Sequence, residues 1–399
     1  MLLKKLFAGL ILLISGSNCI ISGQPGYSIG ISSKGAPDSK IRLAYHLGSE
    51  QYIRDSTNTD LGGVCKFLGS EKLAPGVYMV VFPGNTYFEF LVDDDQYFDI
   101  SCDINDIIGT LGFKGSPEND KFLEYEHRWK NMQDEALSIS EKIKACDSKS
   151  PEKSLLEGQM ISQEKKMKKY LNEVSETNKG TLLGAIVKSI IPIETERKEV
   201  PAGTINPDSV ARIWSYISYK DHFFDNTDLT EPGLVRSPVL AGKLDQFFRQ
   251  VVIQMPDSIS KEADKVLELS EGNKDVYQFV AAWLFNRYLG SEIMGHDAVV
   301  VHLADKVYLA GKAPWASKEY LADLSKRIER IRPNLIGNKA PELVMDSFSG
   351  HYVSLYDVNA DFTILYFWEP DCGHCKEATP VLKKYYDENK ASGIEVFAV

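Results

Sequence analysis

Three rhythms of apolar and polar positions run along the chain. From about Tyr27 to Gly115 the apolar residues come in short bursts. "KIRLAYH", "GVYMVVF", "TYFEFLV" and "QYFDISC" are rich in aromatic and β-branched residues, and turn-forming groups such as Pro75-Gly76, Pro83-Gly84-Asn85 and Asp93-Asp94-Asp95 separate them. Strand-forming runs between turn residues predict short strands. Their regular spacing predicts an antiparallel β-sandwich over 27–115. The region holds no carboxylate–histidine cluster and no glycine-rich phosphate loop, so it reads as a packing or binding module.

The rhythm changes at "GSPEND". Ser116 suits a helix cap, Pro117 the first helical position, and Glu118 and Asp120 the positive end of the helix. Phe122, Tyr125, Trp129, Met132, Ala136, Ile139 and Ile143 then recur every three or four residues, which makes one apolar helix face. Helical patterns continue through Leu155–Val174 and Leu182–Ile191. After the polar stretch "PIETERKEVPAGTINPDS", further helices are expected from about Val210, Leu240, Lys261, Lys274, Asp297 and Ser317, the last ending at Ile331. An all-α domain over 116–334 follows. Trp129, Trp214, Trp283 and Trp315 fall at helical positions and are expected as core anchors. His222, His296 and His302 form no pair of the H-E-x-x-H kind, so structural or surface roles are expected for them rather than metal ligation.

The third rhythm begins at "LIGNKAPELVMDSFSGHYVSLYDV". Its pattern predicts a strand Glu342–Asp346, a turn, and a second strand Tyr352–Leu355. Phe362–Trp368 is a near-continuous apolar run and fits a strand buried on both faces. Two cysteines follow at once. Helical periodicity then resumes through Ala378, Val381, Leu382 and Tyr385, and "GIEVFAV" reads as another buried strand. Strand, helix and strand make a βαβ unit within 336–399.

Composition narrows the class. A chain of 399 residues holds roughly two or three domains. It is 43% hydrophobic and 25% charged, as soluble globular domains are, and its net charge of −11 gives no electrostatic footprint for nucleic acid. The basic run "EKKMKKY" sits at helical spacing and reads as a solvated helix face. The N-terminus is different. Lys4 and Lys5 precede the apolar run Leu6–Ile14, and Ser15, Gly16 and Ser17 follow, which is the layout of a secretory signal peptide over 1–23. Cleavage after Ser17 or after Gly23 suits it. A lipid anchor on Cys19 is the alternative, but Asn18 stands where that signal places a small residue. The mature protein is therefore expected in the periplasm or cell envelope, where disulfides persist. Cys65, Cys102 and Cys146 are expected as buried free thiols, with a Cys65–Cys102 bridge as the alternative.

The chemistry concentrates in "CGHC". With Cys372 in the first turn of a helix, Cys375 comes three residues later, within bridging reach. Unpaired backbone N–H groups there stabilise a thiolate, which lowers its pKa from about 8.5 towards neutrality. Cys372 is then the attacking sulfur and Cys375 the resolving one. His374 favours the thiolate and the reduced form, whereas the Asp371 carboxylate opposes it. Pro380 is expected to kink the helix. A zinc site and a purely structural disulfide are the rival readings, although no second ligand pair stands at a familiar spacing. A peroxidase of the peroxiredoxin kind has Thr or Ser three residues before its reactive cysteine, and Glu369 stands there. No cofactor is called for.

These residues resemble the thioredoxin superfamily, and within it the secreted or membrane-anchored thiol–disulfide reductases of the TlpA/ResA type. The resemblance covers Ile336–Val399. It rests on "IGNKAPEL", "GHYVSLYDV", "GIEVFAV" and above all "ILYFWEPDCGHCKEATP", with Phe367-Trp368 before the cysteines and Pro380 after them. The Gly-His pair between the cysteines is typical of protein disulfide isomerases. The resemblance implies a thiol–disulfide oxidoreductase with Cys372, Cys375 and His374 at its centre and Trp368, Glu369 and Pro380 in support. It further implies protein disulfide or thiol substrates and a membrane electron-donor thiol protein. Two departures stand out. Tyr366 occupies the position where thioredoxins often carry a buried Asp, and Glu369 is a weak substitute. The family's cis-proline loop and further strands do not follow Val399, so a partial α/β thioredoxin-like fold, incomplete at its C-terminal end, is expected. The β-rich and helical regions resemble modules of unknown function that precede such domains in envelope redox proteins. The expected whole is thus multidomain: an N-terminal antiparallel β-sandwich, a central all-α domain and a C-terminal partial α/β thioredoxin-like fold. The alternative function is an envelope binding or scaffold protein with a non-catalytic or incomplete thioredoxin-like domain.

Overall fold

The structure, a computed structural model, describes residues 25–147, 150–195, 199–347 and 349–399. The expected signal peptide and Cys19 lie outside them. Contacts divide the chain into two units. Residues 25–254 with Lys261–Val280 form one, and Met255–Ser260 with Ala281–Val399 form the other.

The first unit opens with β1 (Tyr27–Lys34), β2 (Lys40–Leu47), β3 (Glu50–Asn58), β4 (Val64–Gly69), β5 (Gly76–Val81), β6 (Tyr87–Val92), β7 (Tyr97–Asp103), the one-turn helix α1 (Ile107–Thr110) and β8 (Gly112–Lys114). They build two four-stranded sheets, ordered β4-β1-β7-β8 and β3-β2-β5-β6. Alternation along each strand sends one set of side chains inward. Ile29 and Ile31 of β1, Leu43 of β2, Phe67 of β4, Phe90 of β6 and Phe98 of β7 meet in one buried cluster between the sheets. One pairing departs from the expected antiparallel pattern. β1 and β7 run parallel, from Ser28 opposite Tyr97 to Lys34 opposite Asp103. Five strands separate them in sequence, so no hairpin turn forces them antiparallel.

The same order decides the cysteines. Cys65 on β4 faces Ile31, and Cys102 on β7 faces Ser33, with β1 between them. Two strand spacings amount to about 9–10 Å, beyond what a disulfide spans. The alternative bridge does not form, and both thiols are free. Burial, reinforced by Asp60 and Asp103 respectively, pushes each up to about 11.

α2 (Pro117–Ala145) starts where the sequence predicts, with Pro117 in its first turn alongside Glu118 and Asp120. Ser116 holds the cap position, but its hydroxyl donates to Asp95 Oδ2 at 2.9 Å and does not cap the helix. Asn119 instead reaches β6, an edge strand. It accepts from the Leu91 N–H at 2.7 Å and donates to the Leu91 carbonyl at 2.8 Å, which satisfies groups the edge would leave open. The predicted apolar face is the one that packs. Phe122 and Tyr125 are buried, and Trp129, Met132, Ala136, Ile139 and Ile143 are half-buried. α3 (Pro151–Thr177) returns beside α2, and Tyr125 stacks on Tyr170 of α3 with ring centroids 6.3 Å apart. Lys165, Lys166 and Lys169 of the basic run are exposed.

The later helices are α4 (Leu182–Ile190), α5 (Pro207–Asp221), α6 (Pro238–Gln246), α7 (Pro256–Ser270), α8 (Lys274–Leu289), α9 (His296–Leu303) and α10 (Lys318–Ile331). α5, α6 and α7 start three, two and five residues before the periodic positions Val210, Leu240 and Lys261. Each opens on a proline, which needs no N–H in the first turn and carries no periodic signal. The four tryptophans are half-buried rather than enclosed, as the largest side chains usually are. His222 is exposed and paired with Asp225 at 2.7 Å, and His296 is buried with its Nδ1 2.8 Å from the Ser291 hydroxyl. No helix among the described residues is long and apolar enough to cross a membrane.

The second unit ends in β9 (Val344–Asp346), antiparallel to β10 (Tyr352–Ser354), and then β11 (Phe362–Tyr366), α11 (Gly373–Asn389) and β12 (Ile394–Ala398). β11 and β12 pair in parallel, as a βαβ unit requires. The strand is shorter and less covered than its composition predicts. Phe362, Phe367 and Trp368 are 69%, 64% and 45% exposed. Double burial needs neighbours on both edges and layers on both faces. Among the described residues β11 pairs with β12 alone.

Candidate redox site

β11 delivers the chain to the site and β12 holds it there. The Val399 N–H donates to the Tyr366 carbonyl at 2.9 Å, and the Trp368 N–H donates to the Val399 carbonyl at 3.1 Å. A turn follows, in which the Cys372 N–H donates to the Glu369 carbonyl at 3.2 Å. Cys372 is the cap residue of α11, extended at φ −74° and ψ 119°. A cap side chain normally offers oxygen to an N–H of the first turn. Here the sulfur takes that place, and the Cys375 N–H donates to Cys372 Sγ at 3.4 Å.

This arrangement separates the two thiols electrostatically. The Cys375 thiol and the backbone N–H groups of Cys375 and His374 all donate to the Cys372 sulfur, which pulls its pKa below the ordinary thiol value. Cys375 moves the other way, because its proton is engaged by Cys372. The Glu369 N–H partly offsets that rise, while the charges on Cys372 and Glu369 add to it. Charge therefore gathers on Cys372 and the proton on Cys375. Both residues are half-buried, and both thiols are free.

The other sequence-predicted residues surround this pair. His374 is exposed in the first turn of α11 and reaches the Cys372 sulfur through its backbone N–H. Glu369 touches Cys375 through its own N–H. Trp368 is part-exposed just ahead of the turn, and α11 runs on through Pro380. Two residues were not singled out as site members. The Tyr366 hydroxyl lies 2.9 Å from Thr379 Oγ1, and Thr379 Oγ1 donates to the Cys375 carbonyl at 2.6 Å. The sequence signal for Tyr366 was its departure from the resemblance just before the motif, and Thr379 carried none. Among the described residues no group of three or more His, Cys, Asp or Glu side chains is placed to hold a metal.

The AhpC/TSA family model matches residues 336–399, the segment that builds this site. A solved structure of a thioredoxin-like protein from Bacteroides caccae is similar at 18% identity and a TM-score of 0.38, over 52% of this chain and 74% of that one. No curated protein matches the chain. The segment similar to that family follows N-terminal sheets and a helical middle in one multidomain chain.

Proposed function

We propose that the protein is a thiol–disulfide oxidoreductase of the cell envelope, in which Cys372 attacks and Cys375 resolves. The observation that carries this reading is the cap position of Cys372, whose sulfur receives the Cys375 N–H at 3.4 Å. The Cys372 thiolate attacks one sulfur of a substrate disulfide, forming a mixed disulfide and releasing the first substrate thiolate. Cys375 then loses its proton and attacks the Cys372 sulfur. The Cys372–Cys375 disulfide forms and the second substrate thiolate leaves. Two electrons pass to the substrate, and each departing thiolate takes a proton. Turnover needs a dithiol donor, for which a membrane electron-donor thiol protein is the chemical class. Exposed Phe367 and Trp368 give a protein substrate an apolar surface beside Cys372.

Reduction of insulin disulfides in the presence of dithiothreitol tests this. Cys372→Ser is expected to abolish it, and Cys375→Ser to accumulate a mixed disulfide on Cys372. Unchanged turnover in Cys372→Ser would refute the assignment. The peroxidase reading is separated by peroxide consumption. Glu369, three residues before Cys372, has no hydroxyl to offer a peroxide oxygen, so none is expected.

A further inference from the structure

We infer that Tyr366 and Thr379 form an uncharged brace that holds the Cys375 carbonyl and so positions Cys375, whose own N–H stabilises the Cys372 thiolate. This rests on the thiol–disulfide reading above and adds two positioning residues to it. The proton assignment follows from counting donors. Thr379 has one hydroxyl proton, and the 2.6 Å contact commits it to the Cys375 carbonyl. The Tyr366 proton must then point at Thr379 Oγ1, 2.9 Å away. A longer contact, 3.4 Å, leads from the same hydroxyl to the Cys375 carbonyl itself. The chain of hydrogen bonds runs from phenol to hydroxyl to carbonyl. None of its members takes up a proton from Cys375, so the device positions rather than titrates.

Its placement gives it leverage. Residue 375 is gripped from both sides. Its carbonyl meets the brace, and its N–H meets Cys372 Sγ at 3.4 Å. The next residue along the brace's turn is Pro380, which has no N–H, so the Lys376 carbonyl loses its helical partner. The brace therefore closes the turn just ahead of the gap, where α11 is otherwise weakest. Tyr366 can bear on that turn because β12 fixes it. It pairs with Ala398, and its carbonyl accepts the Val399 N–H at 2.9 Å. A strand thus holds a helix turn in register with the sulfur it serves.

The test is the pH profile of Cys372 alkylation by iodoacetamide in the reduced full chain, followed by mass spectrometry. Four proteins are compared: the unaltered chain, Tyr366→Phe, Thr379→Val and Thr379→Ser. The groups around Cys372, namely Cys375, His374, Glu369 and Asp371, are the same in all four. Loss of one hydrogen bond in the brace is expected to move the profile to higher pH and slow alkylation near neutrality by about two- to tenfold. Thr379→Ser keeps the hydroxyl and is expected to restore the original profile. Identical profiles in Tyr366→Phe and the unaltered chain would overturn the brace while leaving the exchange reading intact. An unaltered chain with no acid-shifted thiol would overturn the exchange reading, and the brace with it. If Thr379→Val fails to fold, Tyr366→Phe decides alone, since it removes one oxygen and leaves the ring in place.

Discussion

Cys372 owes its lowered pKa to position. Its sulfur occupies the place of a helix-capping oxygen and collects two backbone N–H groups and one thiol proton. Flanking charge has little part, since neither a carboxylate nor an imidazole features among the groups that raise or lower it. A different residue-scale constraint acts in the sandwich. Gly63 has φ +77°, and a Cβ there would lie 2.1 Å from the Ser33 carbonyl oxygen. That carbon would meet both a left-handed backbone and a rigid neighbouring strand. Gly63→Ala is expected to cost at least about 1–3 kcal/mol, read as a lower urea midpoint at unchanged slope. An unchanged midpoint would show that the loop relaxes freely. The placement of the two sulfurs was legible because the four residues of the motif are contiguous, so spacing alone set it. The Tyr366–Thr379 brace was not. Those residues lie on different elements, and neither type announces a partner thirteen positions away.

At the scale of elements, the sheets are joined through aromatic packing. Phe90 of β6 is fully buried and meets Phe98 of β7 edge-on, with centroids 5.8 Å apart across the core. Phe90→Ala is expected to lose about 3–5 kcal/mol, and a loss under about 1 kcal/mol would mean the core collapses around the gap. A second junction is electrostatic. Asp93, just after β6, accepts the Leu182 N–H at the start of α4, and Glu118 of α2 accepts the Leu183 N–H at 2.9 Å. Burial first, then the charges of Glu118, Glu231 and Asp94, push Asp93 up to about 6. The folded state therefore holds this proton more tightly than the unfolded chain does. Its contribution to stability is full in acid and is lost as pH rises through about 6. Asp93→Asn keeps an acceptor for Leu182 and removes the charge. Its advantage in melting temperature over the unaltered chain is expected to grow from about pH 5 to about pH 7.5. An advantage that does not change with pH would contradict the assignment. Element types were legible here from turn residues and periodicity, but the parallel β1–β7 pairing was not. It depends on which sheet each strand joins, and local alternation is the same in either case.

For the whole molecule, the sequence separated a strand-rich start, a helical middle and a βαβ end, because the period of the apolar pattern changes at each boundary. It overstated the burial of β11, whose apolar residues imply neighbours that the strand lacks among the described residues. It also treated the tryptophans as enclosed when their size leaves them half-covered. The proposed envelope location has its own check at this scale. Expressed in a bacterial host that exports it, the chain is expected to start at Asn18 or Gln24 by intact-mass spectrometry, and recovery of exported protein with Met1 attached would argue against a cleaved leader. The central claim is that one sulfur is ionised at the head of α11 while its partner keeps a proton. The most direct measurement is the alkylation rate of each cysteine in the reduced chain from about pH 4 to about pH 9. Cys372 is predicted to reach half its maximal rate well below the ordinary thiol value of about 8.5, with Cys375 lagging behind it. A Cys372 that reacts no faster in acid than an ordinary surface thiol would contradict the account.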